Sequence, residues 1–396
     1  MKICGVAAEF NPFHNGHKYL IDTLKSDPDT GVVCVMSGNF VQRGEPAVIS
    51  KFARAKAAVL CGVDLVLELP VPYSIAPAMF FAGGAMDALR ALGVVDAICF
   101  GSESGDVNGL RKIAALQQTP EFSAVLKETL KTGVTFAAAR EQAVQSIAPE
   151  INPALLRDPN DILAAEYIAA ADRLGMKVDL KAIRRRGAGH DSPLADGRFC
   201  SASALRENPA DLKAKAGYMP PAAFSVYKQE IAAGRYADWK LMERAVIAHL
   251  RTLSPEQLRT APDVSEGLEN RILLAANSCH ELSTLLSAVK SKRYTHARLR
   301  RIVLASFLGV TADLQKAPLP YLRVLAMNEA GAAILSEAKG KTRVPVLSSL
   351  KEAAQISPEA ARLAGLEGKA GDIYSLTLIN PVAGKSDYTN RLYKTF

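Results

Sequence analysis

The sequence predicts an α/β fold: a parallel sheet covered by helices on both faces, followed by a mainly α-helical, basic region. Three observations carry this. In the first 210 of 396 residues, short runs rich in Val, Ile, Leu and Cys alternate with helical patterns. Strands buried on both faces read this way. Beyond about residue 210 the strand-like runs fade and helical patterns follow one another. The charge also shifts. Residues 1–210 carry 22 Lys and Arg against 23 Asp and Glu, and residues 211–396 carry 26 against 17, so the net +8 lies in the second part. A near-neutral catalytic part (1–210) and a polyanion-binding part (211–396) is the division this suggests.

In order, KICGVAAEF reads as the first strand and HKYLIDTLK as a helix. GVVCVMSG is the second strand, and SKFARAKAAVLCG a helix closed by Gly62. DLVLELP is the third strand, AMDALRALG a helix and DAICFGSE the fourth strand. A helical stretch leads to a fifth strand in GMKVDLKAIRR. The uncharged segment 69–86, LPVPYSIAPAMFFAGGAM, contains Pro70, Pro72 and Pro77. It reads as a buried loop entering a helix, because proline breaks the ladder a membrane span needs. From 211 onward LMERAVIAHLRTL, GLENRILLAA, HELSTLLSAVKS and YTHARLRRIVLASFLG are helical, with a short mixed tail from about 340.

No secretory pattern opens the chain, since Met1-Lys2-Ile3-Cys4 leads straight into a strand. The six cysteines (Cys4, Cys34, Cys61, Cys99, Cys200, Cys279) form no C-x-x-C pair. Free thiols in a reducing cytoplasm are expected, and a zinc site has no support. No protein partner is evident.

The candidate chemistry sits where strands end. EFNPFHNGH follows the first strand, and His14 to His17 open the first helix. In a doubly wound sheet, ligands bind at the strands' carboxyl ends. A helix N-terminus there suits phosphate. His14 and His17 can add donors aimed at the same phosphates, and Gly16 would let a base or ribose approach the backbone. Ser201 and Ser203 in CSASALRE open another helical run, with Arg206 one turn on; they can bind β- and γ-phosphates. AIRRRGAGHD follows the fifth strand and fits an anionic ligand. FGSE (100–103) and DPND (158–161) are weaker signals. No G-x-x-x-x-G-K-[ST], G-x-S-x-G or H-E-x-x-H is present, so a P-loop NTPase, a serine hydrolase and a metalloprotease lose their usual support.

H-x-G-H after the first strand, with a later S-x-S-x-x-R, resembles the HIGH superfamily of nucleotidyltransferases. EFNPFHNGH, MSGNFVQRGEPAVISKFARAKAAV, GVDLVLELP, FGSE, PNDIL, SASALR, EGLENRI, KRYTHARLRR and YLRVLAMNEAG are similar, in order, to the bacterial tRNA(Met) cytidine acetate ligase family. The resemblance spans almost the whole chain. It implies a Rossmann-like nucleotidyltransferase domain and ATP-dependent acetylation, with free acetate, of the wobble cytidine of elongator tRNA(Met). It also implies ATP contacts from Ala7, Ala8, Glu9, Phe10, Asn11, Pro12, Phe13, His14, Asn15, Gly16 and His17. Gly101, Asn160, Ser201, Ser203 and Arg206 complete them, with an arginine for which Arg184 and Arg185 are both candidates, because GAGHD lacks the family's tyrosine. His14 and His17 are the expected catalytic pair. Magnesium is expected with ATP, but no carboxylate pair identifies ligands. In the basic helix SKRYTHARLRR, Lys292, Arg293, Arg298 and Arg301 are expected to meet tRNA phosphates, and Tyr294 or His296 to stack on a base. Two alternatives stand beside this reading: an adenylyltransferase for a small phosphorylated metabolite, and a non-catalytic RNA-binding protein.

Overall fold

The computed structural model describes residues 1–185, 197–265, 267–292 and 294–396. The five expected strands are β1 (Lys2–Ala8), β2 (Thr30–Ser37), β3 (Leu65–Leu69), β4 (Ala97–Ser102) and β5 (Asp179–Arg184). They run parallel in the order β3-β2-β1-β4-β5. Strand β2 shows why its residues form a strand rather than a helix. It is buried end to end, and its alternate residues enter two different cores. Val33 and Val35 pack with Leu65, Leu67, Leu89 and Ile168 on one face. Val32, Cys34 and Met36 pack with Phe13, Ile21 and Val59 on the other. The covering helices include α1 (Asn15–Leu24), α2 (Lys51–Leu60), α3 (Ala78–Leu92) and α4 (Pro159–Arg173).

The proline-rich segment folds as a turn of helix at Val71–Ser74 and then α3, which Gly93 ends in the left-handed conformation (φ 80°). No helix among the described residues is long and apolar enough to cross a membrane. All six cysteines are unpaired.

The sheet does not stop at residue 210. Strand β6 (Leu322–Met327) pairs antiparallel with β3, and β7 (Val346–Leu347) and β8 (Tyr393–Lys394) pair parallel with β6. No strand was expected at LRVLAM. Leu, Ala and Met suit a helix as well as a strand, and Arg323 interrupts the apolar run. The structure matches that charge internally: Arg323 Nη1 lies 2.9 Å from Glu68 Oε2 on β3 and 2.5 Å from Asp387 Oδ1.

Lys51 at the start of α2 joins the same group. Its Nζ lies 2.5 Å from Glu68 Oε1, touches Asp387, and sits 3.9 Å from Glu367 Oε2. All five side chains are at most 3 % exposed. Two cations thus face three carboxylates inside the molecule. Burial works against the charge of Glu68, yet Lys51 and Arg323 hold its carboxyl below the usual range. Glu367 goes the other way: burial and the neighbouring Glu68 push it up to about 8.

Between the two ends of the chain lies a helical unit with its own core, including Val246, Leu250, Ile272, Leu285, Leu299 and Ile302. It contains α5 (Leu282–Val289) and α6 (His296–Leu308).

Candidate active site

In the strand order β3-β2-β1-β4-β5 the direction of winding reverses between β1 and β4. A crevice opens there, at the strands' carboxyl ends, as this topology demands. It is lined by Ala7, Ala8, Glu9, Phe10 and Asn11 from the end of β1, by His14, Gly16 and His17, by Gly101 of β4, by Asn160 of α4, and by Arg184, Arg185 and Arg206.

The segment between β1 and α1 is fixed from below. Arg54, fully buried on α2, donates to the carbonyls of Glu9 (2.5 Å), Ser37 (3.1 Å) and Ile49 (3.1 Å) and also reaches Gly38 O. Burial pulls its guanidinium down to about 10. It gathers the ends of β1 and β2. Asn11 Oδ1 accepts from Val48 N (2.8 Å), and Arg206 Nη1 donates to Asn11 O (3.0 Å). Phe10 is held at φ 48°, a region that a bulky residue occupies only when its surroundings impose it. Its ring packs against Phe13 (4.8 Å between centroids) and His17 (5.0 Å).

The two histidines cap α1 reciprocally. Gly16 N donates to His14 Nδ1 (3.0 Å), and His14 N donates to His17 Nδ1 (3.3 Å). This is the capping-box arrangement with imidazoles in place of the usual Ser and Glu. It has a chemical consequence. Each Nδ1 accepts a backbone N–H, so in the neutral ring the proton resides on Nε2. The rings stack at 3.8 Å with 28° between their planes. Two ring N–H donors therefore sit at the positive end of a helix, and both rings line the crevice.

Gly16 has a purpose beyond the one expected. A Cβ there would lie 2.8 Å from Cε1 and 3.0 Å from Nδ1 of His14. The glycine makes room for the capping imidazole, and it also lines the crevice. Gly16→Ala is expected to displace His14 and lower the ATP-dependent reaction at least tenfold while the protein stays folded. Steady-state rates and circular dichroism of the variant check this.

FGSE and DPND, weak apart, are each other's partners. Asp161, 1 % exposed, accepts from the backbone of Glu103 and Ser104 (3.1 Å each) and from Ser102 Oγ. Asp161 N donates back to Glu103 Oε2 (3.1 Å), and Asn160 Nδ2 donates to Glu103 Oε1. The exchange clamps the start of α4 to the end of β4 and brings Gly101 and Asn160 to one wall. Arg185 runs over Gly101, its Nε 3.8 Å from Glu103 Oε1. Arg184 and Arg185 both line the crevice. The rest of the arginine loop, from Arg186 to Asp191, lies outside the described residues.

Five expected contacts do not line the crevice: Pro12, Phe13, Asn15, Ser201 and Ser203. Phe13 is buried. Asn15 Nδ2 donates to the carbonyls of Arg198 (2.8 Å) and Gly217 (3.0 Å). Ser201 Oγ caps its helix by accepting from Ala204 N (3.1 Å), and Ser203 Oγ accepts from Arg206 Nη2 (3.3 Å). In contrast Gln42 and Arg43, to which the sequence reading gave no role, do line it. They lie in the loop after β2, as His14 lies in the loop after β1; that position was the available signal. Gln42 N donates to Glu9 Oε1 (2.8 Å).

The expected tRNA contacts are mostly engaged within the helical unit. Arg298 donates to Asp263 O (2.8 Å) and Ser265 Oγ (2.9 Å), and Arg301 pairs with Asp263 at 3.5 Å. Tyr294 is 5 % exposed, with the Arg271 and Arg298 guanidinium groups 5.4 and 5.2 Å from its ring centre. A ring so buried is not offered to a base. Lys292 is exposed, His296 is half-buried, and Arg293 lies outside the described residues.

A family model described as HIGH Nucleotidyl Transferase matches residues 1–388. A tRNA(Met) cytidine acetate ligase of Acetivibrio thermocellus is 38 % identical over 98 % of this chain and 97 % of its own. The chain belongs to the tRNA(Met) cytidine acetate ligase family. Another member of this family, from Caldicellulosiruptor saccharolyticus, is 40 % identical over 95 % of this chain and 94 % of its own. The crystal structure of Thermotoga maritima TmcAL bound with alpha-thio ATP superposes with a TM-score of 0.91 at 33 % identity, covering all of both chains. The ligase family thus accounts for the whole fold, including the strands contributed by the second part.

Proposed function

We propose that this chain uses ATP to activate free acetate as acetyl-adenylate and then acetylates N4 of the wobble cytidine of elongator tRNA(Met). The observation that carries this is the reciprocal capping of α1 by His14 and His17, which leaves Nε2 of each ring as the donor nitrogen in the lining of the crevice at the switch point of the sheet. Acetate is a poor acyl donor because its leaving group would be oxide. In the first step an acetate oxygen attacks the α-phosphorus, a P–O bond forms, and pyrophosphate departs. Charge builds on the phosphoryl oxygens, and fixed donors at a helix N-terminus stabilise it there. In the second step the cytosine amine attacks the acetyl carbon, the C–O bond to AMP breaks, and the amine loses a proton. No protein nucleophile is needed, which agrees with scattered thiols of which five are buried. Arg184, Arg185, Arg206 and Asn160 would hold the rest of the nucleotide. Magnesium would enter with ATP as part of the substrate. Among the described residues no three His, Cys, Asp or Glu side chains gather to hold a metal, and no step here is assigned to one.

Acetate labelled with oxygen-18 in its carboxylate should pass label into the AMP released during tRNA acetylation, and ATP with acetate alone should yield bound acetyl-AMP. Label found only in water, or ADP as product, would overturn the two-step reading. AMP left attached to a small acceptor would instead mark a metabolite adenylyltransferase.

A further inference from the structure

A second cavity of about 410 Å³ lies where the helical unit meets the sheet domain. Its walls come from Glu45, Pro46 and Val48 after β2, from Arg206 and Pro209, from Ala237, Trp239 and Glu243, and from α5 and α6. The size is that of a small-ligand pocket. Arg206 lines this cavity and the nucleotide crevice alike, so the two spaces share one side chain as their common wall. Arg206 is bound there to Asn11 O and Ser203 Oγ.

The lining chemistry is specific. Trp239 is the only tryptophan of the chain. Alongside it stand the His296 imidazole, the Arg300 guanidinium and the exposed hydroxyls of Ser283 and Ser287. Two flat rings, two guanidinium groups and two hydroxyls suit a planar base attached to a phosphate; of the two carboxylates that also line the cavity, Glu45 is paired with Arg300, and Glu243 is the other. His296 and Arg300 lie four residues apart on α6 and so face one way. Arg298 and Arg301 on the same helix are engaged with Asp263 in the helical unit, whereas the partner of Arg300 is Glu45, itself a wall of the cavity. Contact between the two domains is also tight here. Gly44 (φ 74°) approaches the α6 backbone so closely that a Cβ would lie 2.7 Å from Arg301 N, and Glu45 pairs with Arg300. The loop that carries Arg43 into the nucleotide crevice is therefore clasped by the helix that forms the cavity.

Resting on the acetyl-transfer reading above, we infer that this cavity is the RNA acceptor site: it seats a nucleotide adjoining the target cytidine, with its base against Trp239 and His296 and its phosphate at Arg300. The target base then passes Arg206 to reach the acetyl-adenylate. A base must leave its stack for such chemistry, and an anticodon loop permits this at small cost.

The lone indole makes the inference directly testable in the wild-type protein. Adding the tRNA(Met) anticodon stem-loop should quench Trp239 emission in a saturable way, whereas ATP alone should leave it unchanged. Ser283→Phe and Ser287→Phe, at exposed positions of α5, should fill the cavity without disturbing the fold. Each should raise KM for tRNA about tenfold or more while acetate-dependent ATP–pyrophosphate exchange persists. Thr284→Phe, on the same helix but not lining the cavity, should change neither. Stem-loop binding without any change in emission, or normal transfer by both serine variants, would overturn the assignment. Equal loss of exchange and transfer would overturn it too, by making the cavity part of the ATP site. Absence of acetate-dependent exchange in the wild-type protein would instead count against the acetyl-adenylate step, and the quenching result would still decide the cavity.

Discussion

His14→Ala and His17→Ala are each expected to cut acetate-dependent ATP–pyrophosphate exchange on the order of a hundredfold or more, the usual cost of losing one preorganised donor. Alanine alone is an ambiguous test, because both rings also cap α1. Loss of a cap costs about 1 kcal/mol and loosens the first turn. His14→Asn and His17→Gln remove that ambiguity. Asparagine is a good N-cap, and glutamine at the third helical position completes a capping box. Both variants should unfold thermally near the wild type and remain as inactive as the alanine forms. Recovery of exchange in either would show that the imidazole there only holds the helix.

Lys51→Met is expected to destabilise the fold by about 3–5 kcal/mol, as when one partner of a buried ion pair is removed. The methionine has a similar shape, so packing is nearly kept. What is lost is the cation that lies 2.5 Å from Glu68 and touches Asp387, in a region with almost no access to water. Urea unfolding at pH 7 measures the effect. Glu367 supplies a second arm. Its carboxyl sits at about 8 in the folded protein against an ordinary 4.5. A raised folded value means that its contribution is complete below about pH 4.5 and is lost as pH rises through about 8. Glu367→Gln should flatten that part of the stability profile. An unchanged slope between pH 5 and 8 would show that Glu367 is ionised throughout.

The five parallel strands were legible because their residues are continuous apolar runs, and the H-x-G-H segment because it follows the first of them. The purpose of Gly16 was not legible. It depends on where the His14 ring turns, which spacing alone does not reveal. The internal partners of Arg298, Arg301 and Tyr294 were not legible for a related reason. Arginines and an aromatic on a helix look like an RNA surface, but Asp263 lies about thirty-five residues away in sequence and only folding brings it to them. Strand β6 was missed because its charge finds partners in Glu68 and Asp387, the first of which is 255 positions earlier.

That last separation governs how the molecule is made. A ribosome adds about 5–20 residues per second, so the partner of β3 emerges roughly 13–50 seconds after β3 itself. During that interval Leu65–Leu69 is the outermost strand of a growing sheet, and its free edge, apolar but for Glu68, is open to other chains. The nucleotide crevice lies on the opposite side of β1 from that edge. The chain therefore builds its chemistry first and seals its flank last, with the final strand at Tyr393–Lys394 closing the row.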